Sequence, residues 1–136
     1  MSCHVLVVDR SDIIRAMIRK ILTLGEREGL TIHDARNGKE ALDILARASI
    51  DLVFTELNLP DMQGDEILNQ MAQRNLLPRI PVVILSSSRC RPRMDTLKRK
   101  GARAYLTKPF RLEHVRAAAV SILGKAFSSK GGAANG

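Results

Sequence analysis

The chain reads as a doubly wound α/β domain around a five-stranded parallel sheet, and three observations carry that reading. Short apolar, β-branched runs alternate five times with segments whose apolar residues recur at helical spacing. The runs are nearly continuous instead of alternating with polar residues, so both faces of each strand are covered. Each run is separated from the next by a helix-sized stretch, which a parallel crossover requires.

The first strand, His4 to Val8, leads into Asp9-Arg10-Ser11-Asp12, whose short polar side chains suit a helix start. Ile13, Ile14, Met17, Ile18, Ile21 and Leu22 then form one apolar stripe that runs up to Gly25. A second strand around Thr31 to Ala35 precedes Asn37-Gly38, and Ala41, Leu42, Leu45 and Ala48 mark the second helix. Ile50 to Phe54 is the third strand. The turn segment Asn58 to Gly64 follows, then a helix carrying Ile67, Leu68 and Met71. Pro81 to Leu85 is the fourth strand, and the loop Ser86 to Pro92 leads to a helix around Met94 to Lys100 that Gly101 ends. Ala104 to Thr107 forms a short fifth strand, and beyond Lys108-Pro109 the residues Leu112, Val115, Ala119 and Ile122 stripe the last helix. Residues 1–126 make one domain, and the Gly/Ser/Ala-rich stretch 127–136 is expected to be a flexible tail.

Composition narrows the function. With 136 residues, 45% of them hydrophobic and 26% charged, the chain can bury a sizeable core without staples. Aromatic residues make up 3% and there is no Trp, which argues against a base-stacking platform for single-stranded nucleic acid. Cys3 and Cys90 stand alone, so neither a disulfide framework nor a zinc site is indicated, and a reducing, cytoplasmic setting fits. His4, His33 and His114 have no ligand or triad spacing and read as structural or surface residues. No apolar run approaches the length of a membrane span. Phosphate-cradling glycine motifs are missing, which argues against an enzyme, and no helix-turn-helix lies outside the five units, which argues against sequence-specific DNA binding.

In a sheet of this kind, chemistry gathers at the C-terminal strand ends. Asp9, Arg10, Glu56, Ser86 and Lys108 therefore converge on one crevice by connectivity alone.

The segments VLVVDRSD, DLVFTELNLPDMQG, PVVILSSS and GARAYLTKPF, in that order and spacing, resemble the receiver domain of two-component response regulators across about residues 3–126. The resemblance implies a flavodoxin-like (βα)5 fold with strand order 2-1-3-4-5. A stand-alone signalling module of phosphorelay type that is not an enzyme is expected, with a receiver cut from a longer chain as the other candidate. In that family an aspartate ending the third strand accepts a phosphoryl group while an acidic pair after the first strand holds Mg²⁺. By the same resemblance Ser86 and Lys108 match the groups that engage the phosphoryl group, and Tyr105 matches the switch aromatic. Pro109 matches a cis proline that aims the lysine, and Asn58 the position whose carbonyl helps ligate the metal.

Two positions depart from the pattern. Glu56 replaces the phosphoacceptor aspartate, and Arg10 replaces one member of the acidic pair, leaving Asp9 alone. The formal charge of the pocket rises from −2 to zero, so Mg²⁺ is disfavoured, no cofactor is expected, and Glu56 is expected not to be phosphorylated. Two readings of Glu56 stand open: a permanent imitation of a phosphorylated residue, and an inert pseudo-receiver. A receiver retaining conditional phosphorylation or metal binding is the alternative, as is a basic nucleic-acid-associated regulator.

Charge points to a partner. The formal net charge is +8, yet residues 1–88 sum to −2 and residues 89–136 to +10. The resemblance places the output face on the fourth helix, fifth strand and fifth helix, where Arg91, Arg93, Lys98, Arg99, Lys100, Arg103, Arg111 and Arg116 stand against Asp95 and Glu113. Such an excess opposes a symmetric dimer through this face and predicts an acidic protein partner, with nucleic acid second and no membrane.

Overall fold

The computed structural model describes residues 2–24 and 29–124. The tail expected over residues 127–136 and the helix stop expected at Gly25 lie outside the described residues. The elements are β1 (Cys3–Val8), α1 (Asp12–Thr23), β2 (Leu30–Ala35), α2 (Gly38–Arg47), β3 (Leu52–Glu56), α3 (Gly64–Gln73), β4 (Val82–Ser86), α4 (Arg91–Arg99), β5 (Ala104–Thr107) and α5 (Leu112–Leu123). The five strands form one parallel sheet in the order β2-β1-β3-β4-β5.

Residues alternate between the two faces of each strand, and each face has its own core. Leu6, Val8, Val53 and Ile84 pack with Leu42 of α2, Leu68 of α3 and Leu97 of α4. Val5, Val7, Phe54 and Leu85 pack on the other face with Ile18 of α1 and Val115 of α5. The central strands β3 and β4 are buried along their whole length, so their C-terminal residues Glu56 and Ser86 are buried as well.

Element ends follow local chemistry. Ser11, the N-cap of α1, accepts from the Ile14 N–H at 3.2 Å, so the capping role falls to it and not to Asp9. Asn37 caps α2 by accepting from the Glu40 N–H at 2.8 Å, and the Asp61 carboxylate accepts from the Gly38 and Lys39 N–H groups at 2.8 and 2.9 Å. The third strand starts two residues later than the apolar run suggests. Pro81 stays outside β4 because it has no N–H, though its carbonyl still accepts from Val53 at 3.0 Å. The fourth helix starts at Arg91, earlier than expected, since Pro92 in its first turn has no N–H to leave unpaired.

On the edge pair β1 and β2, His4 Nδ1 and His33 Nε2 lie 3.0 Å apart with the rings stacked. Burial, then the neighbouring His4 and the Arg47 and Arg19 cations, hold the His33 imidazole below the usual histidine range, against a smaller opposing pull from Asp34. The unfolded chain therefore takes up this proton first, and His33 contributes stability that is present above about pH 6.5 and lost as pH falls through the lower folded value. Urea midpoints are expected to drop on going from neutral pH toward pH ~5.5. His33→Asn should flatten that slope, and an equal slope in the variant would refute the assignment.

Candidate functional site

The crevice at the C-terminal strand ends is built from four chain segments. Asp9 follows β1, Glu56 closes β3, Ser86 closes β4 and Lys108 follows β5. Parallel pairing of β1 with β3, β3 with β4 and β4 with β5 brings these ends together although Asp9 and Lys108 are separated by 99 positions. Asp9 is fully buried and Glu56 is 8% exposed.

Charge is paired inside the crevice. The Lys108 ammonium donates to Asp9 Oδ2 at 2.9 Å and to Glu56 Oε1 at 3.3 Å, with a side chain 19% exposed. The other Glu56 oxygen, Oε2, accepts from the Arg10 backbone N–H at 3.3 Å and lies 3.7 Å from Arg10 Nε. Asp9 Oδ1 accepts from the Ser11 N–H at 2.9 Å. Each Glu56 oxygen thus faces one cation, and Asp9 divides its two oxygens between an ammonium and a backbone donor. The Lys108–Pro109 peptide is cis.

Ser86 and Tyr105 do not join Glu56. Ser86 Oγ accepts from the Ser88 N–H at 3.1 Å, and the Ser86 carbonyl accepts from the Lys108 N–H at 2.7 Å. Tyr105 is partly buried against the core, and its hydroxyl donates to the Ser88 carbonyl at 3.0 Å. The β4–α4 loop is therefore held from both sides at Ser88. Tyr105 is thus tied inward, while Ser86 is engaged by its own loop.

The loop bearing Asn58 is closed by an antiparallel bridge between Asn58 and Gln63, and Asn58 itself is exposed. Gly64 sits where a Cβ would come within 3.2 Å of the Leu57 backbone, and its N–H donates to the Leu57 carbonyl at 2.6 Å. That close approach anchors the start of α3 against Leu57, the residue that follows Glu56.

Some participants carry no mark in the sequence. Arg15 Nε donates to the Asp9 carbonyl at 2.9 Å from within α1. Asp65, in the first turn of α3, pairs with Arg93 and approaches Lys100. These two of the eight cations assigned to the output face therefore turn toward α3. Arg91, Lys98, Arg99, Arg103 and Arg111 are exposed, and Arg116 is partly exposed. Among the described residues, no group of three or more His, Cys, Asp or Glu side chains stands at metal-binding spacing, both thiols are free, and no helix is long and apolar enough to cross a membrane.

Comparison with known proteins bears on this arrangement. Residues 5–120 match the family model described as response regulator receiver domain. The two-component response regulator ORR6 of Oryza sativa subsp. japonica is 34% identical over 108 residues, which span 79% of this chain and 64% of that protein. A protein-glutamate methylesterase/protein-glutamine glutaminase of Treponema denticola is 39% identical over 122 residues, covering 87% of this chain and only 32% of that protein. Among solved structures, the chemotaxis response regulator CheY4 of Vibrio cholerae superposes with a TM-score of 0.80 at 26% identity, covering 90% of this chain and 99% of that one.

Proposed function

The chain belongs to the response regulator receiver family of two-component phosphorelay signalling, and from that premise we propose that it is an atypical receiver, not phosphorylated at Glu56, that signals through contacts with an acidic protein partner. One observation carries the reading: the Lys108 ammonium stands between Asp9 and Glu56 while Arg10 faces the remaining Glu56 oxygen. The residues present do not fit a Mg²⁺ ion. A hard divalent cation needs several oxygen ligands carrying net negative charge, and here two carboxylates already hold an ammonium with a guanidinium beside them. Glu56 as a nucleophile is likewise opposed, because both of its oxygens are engaged.

The inert reading of Glu56 is favoured over imitation of a phosphorylated aspartate. A phosphoryl group presents about two negative charges and three acceptor oxygens. Glu56 presents one planar carboxylate that leaves Ser86 to its own loop. The exposed cations of α4 and α5 support an acidic protein as the output partner, since complementary charge speeds encounter and like charge across an interface is costly.

Titration of the native chain with Mg²⁺, followed by calorimetry, is expected to give no saturable binding at millimolar concentration, and incubation with acetyl phosphate should leave the mass unchanged. Stoichiometric phosphorylation would overturn the proposal.

A further inference from the structure

By its own sequence α4 is a poor helix. Its first turn carries Arg91 and Arg93 and no acid, so these charges oppose the helix dipole. Cys90 at the N-cap supplies no side-chain hydrogen bond, and Leu97 is the one buried residue of the helix. Compensation comes from α3. The Asp65 carboxylate receives the Arg93 guanidinium as a fork, with Nη1 at 2.9 Å from Oδ2 and Nη2 at 3.1 Å from Oδ1, and Lys100 Nζ stands 3.7 Å from Oδ2. This hydrogen-bonded pairing with Arg93 outweighs burial and holds the Asp65 carboxyl below the usual carboxylate range.

The spacing separates two sets of cations. Arg93 and Lys100 are seven positions apart with buried Leu97 between them, so they share one face of α4. Arg91 and Lys98, also seven apart, share a different and exposed face with Asp95 between them. The inward pair is not sealed off: the Arg93 and Lys100 side chains retain 31% and 38% of their exposure.

We infer that Asp65 is a latch: by holding Arg93 and Lys100 it fastens α4 to α3 and withholds these two cations from an acidic protein segment, which gains them when α4 loosens. Only the identity of the partner rests on the function proposed above; the latch itself does not. An acidic segment is the occupant that matches a fork already filled by a carboxylate, because a bidentate guanidinium and an adjacent ammonium recognise that group by geometry as well as charge.

Amide exchange of the full chain, read by mass spectrometry, tests the latch. In Asp65→Asn and in Arg93→Gln, residues 91–100 are expected to exchange about tenfold faster than in the native chain, with β1 and β3 unchanged. The double variant should exchange no faster than Asp65→Asn alone, because that change already removes the contact that Arg93→Gln removes. Unchanged exchange in the single variants, or effects that add, overturns the latch. Masking is tested with an oligoglutamate peptide as the probe. Asp65→Asn should bind it about fivefold more tightly than Asp43→Asn, which removes the same charge from an exposed position on α2. Equal affinity in those two variants overturns the masking. Failure of the acidic-partner reading has a separate signature: Arg91→Glu with Lys98→Glu leaves peptide affinity unchanged, or the native chain prefers duplex DNA at physiological salt. Either result removes the acidic occupant and leaves the latch to the exchange data.

Discussion

Lys108→Met is expected to destabilise the domain by about 3 to 5 kcal/mol, the range for removing one partner of a buried ion pair. Lys108 is shared between Asp9, which is fully buried, and Glu56, which is 8% exposed. Methionine keeps most of the side-chain volume, so the loss reports charge and not a cavity. Two carboxylates then lose their shared ammonium: Arg15 is bonded to the Asp9 backbone carbonyl, and the Arg10 side chain is 57% exposed and reaches Glu56 alone. Adding Asp9→Asn to Lys108→Met should recover a substantial part of the loss, because it removes the more deeply buried of the stranded charges. Urea unfolding of the three proteins at neutral pH gives the comparison. A loss under about 1 kcal/mol, typical of an exposed pair, would show that Lys108 is a surface cation after all.

Glu56→Asp together with Arg10→Asp is expected to create Mg²⁺ binding and phosphodonor labelling, whereas Glu56→Asp alone should yield little of either. The single change shortens the carboxylate but leaves the pocket charge at zero. Replacing Arg10 by an acid changes the local charge by two units. At about 5 Å from a dication in a water-like dielectric this amounts to about 3 kcal/mol, or roughly two orders of magnitude in affinity. Calorimetry with Mg²⁺ and intact mass after acetyl phosphate treatment separate the variants. If the single change proves sufficient, the charge argument built on Arg10 is wrong and the length of Glu56 is the whole obstacle.

The crevice is legible in the sequence because its members sit where apolar runs stop. Asp9, Glu56, Ser86 and Lys108 each end or follow a strand, and a parallel sheet puts those ends on one side. That Lys108 reaches Asp9 across 99 positions follows from topology. Where each polar side chain turns is decided by local competition, which periodicity does not encode. Ser86 takes the Ser88 N–H, two residues on, in preference to Glu56. The same limit hid the Asp65–Arg93 fork, since one partner lies in the first turn of α3, the other in a helix whose start was placed too late, and no periodic signal links them. The His4–His33 contact was also missed, because each histidine is unremarkable on its own strand and they meet only through the β1–β2 register, in which His4 aligns with Thr31 and His33 with Leu6.

The lysine in the crevice is a counterion that cannot diffuse away. A free ion occupies a site according to its concentration and departs at its own rate, whereas a group on the backbone is presented at an effective concentration set by folding, independent of what the solution holds. On the function proposed above, in which Arg10 and Glu56 complete that neutralisation, on and off would cease to be chemical states of the site. The domain's contribution to a pathway would then be governed by how many copies are made and how long each survives, with synthesis and proteolysis taking over the timing that a reversible modification otherwise provides.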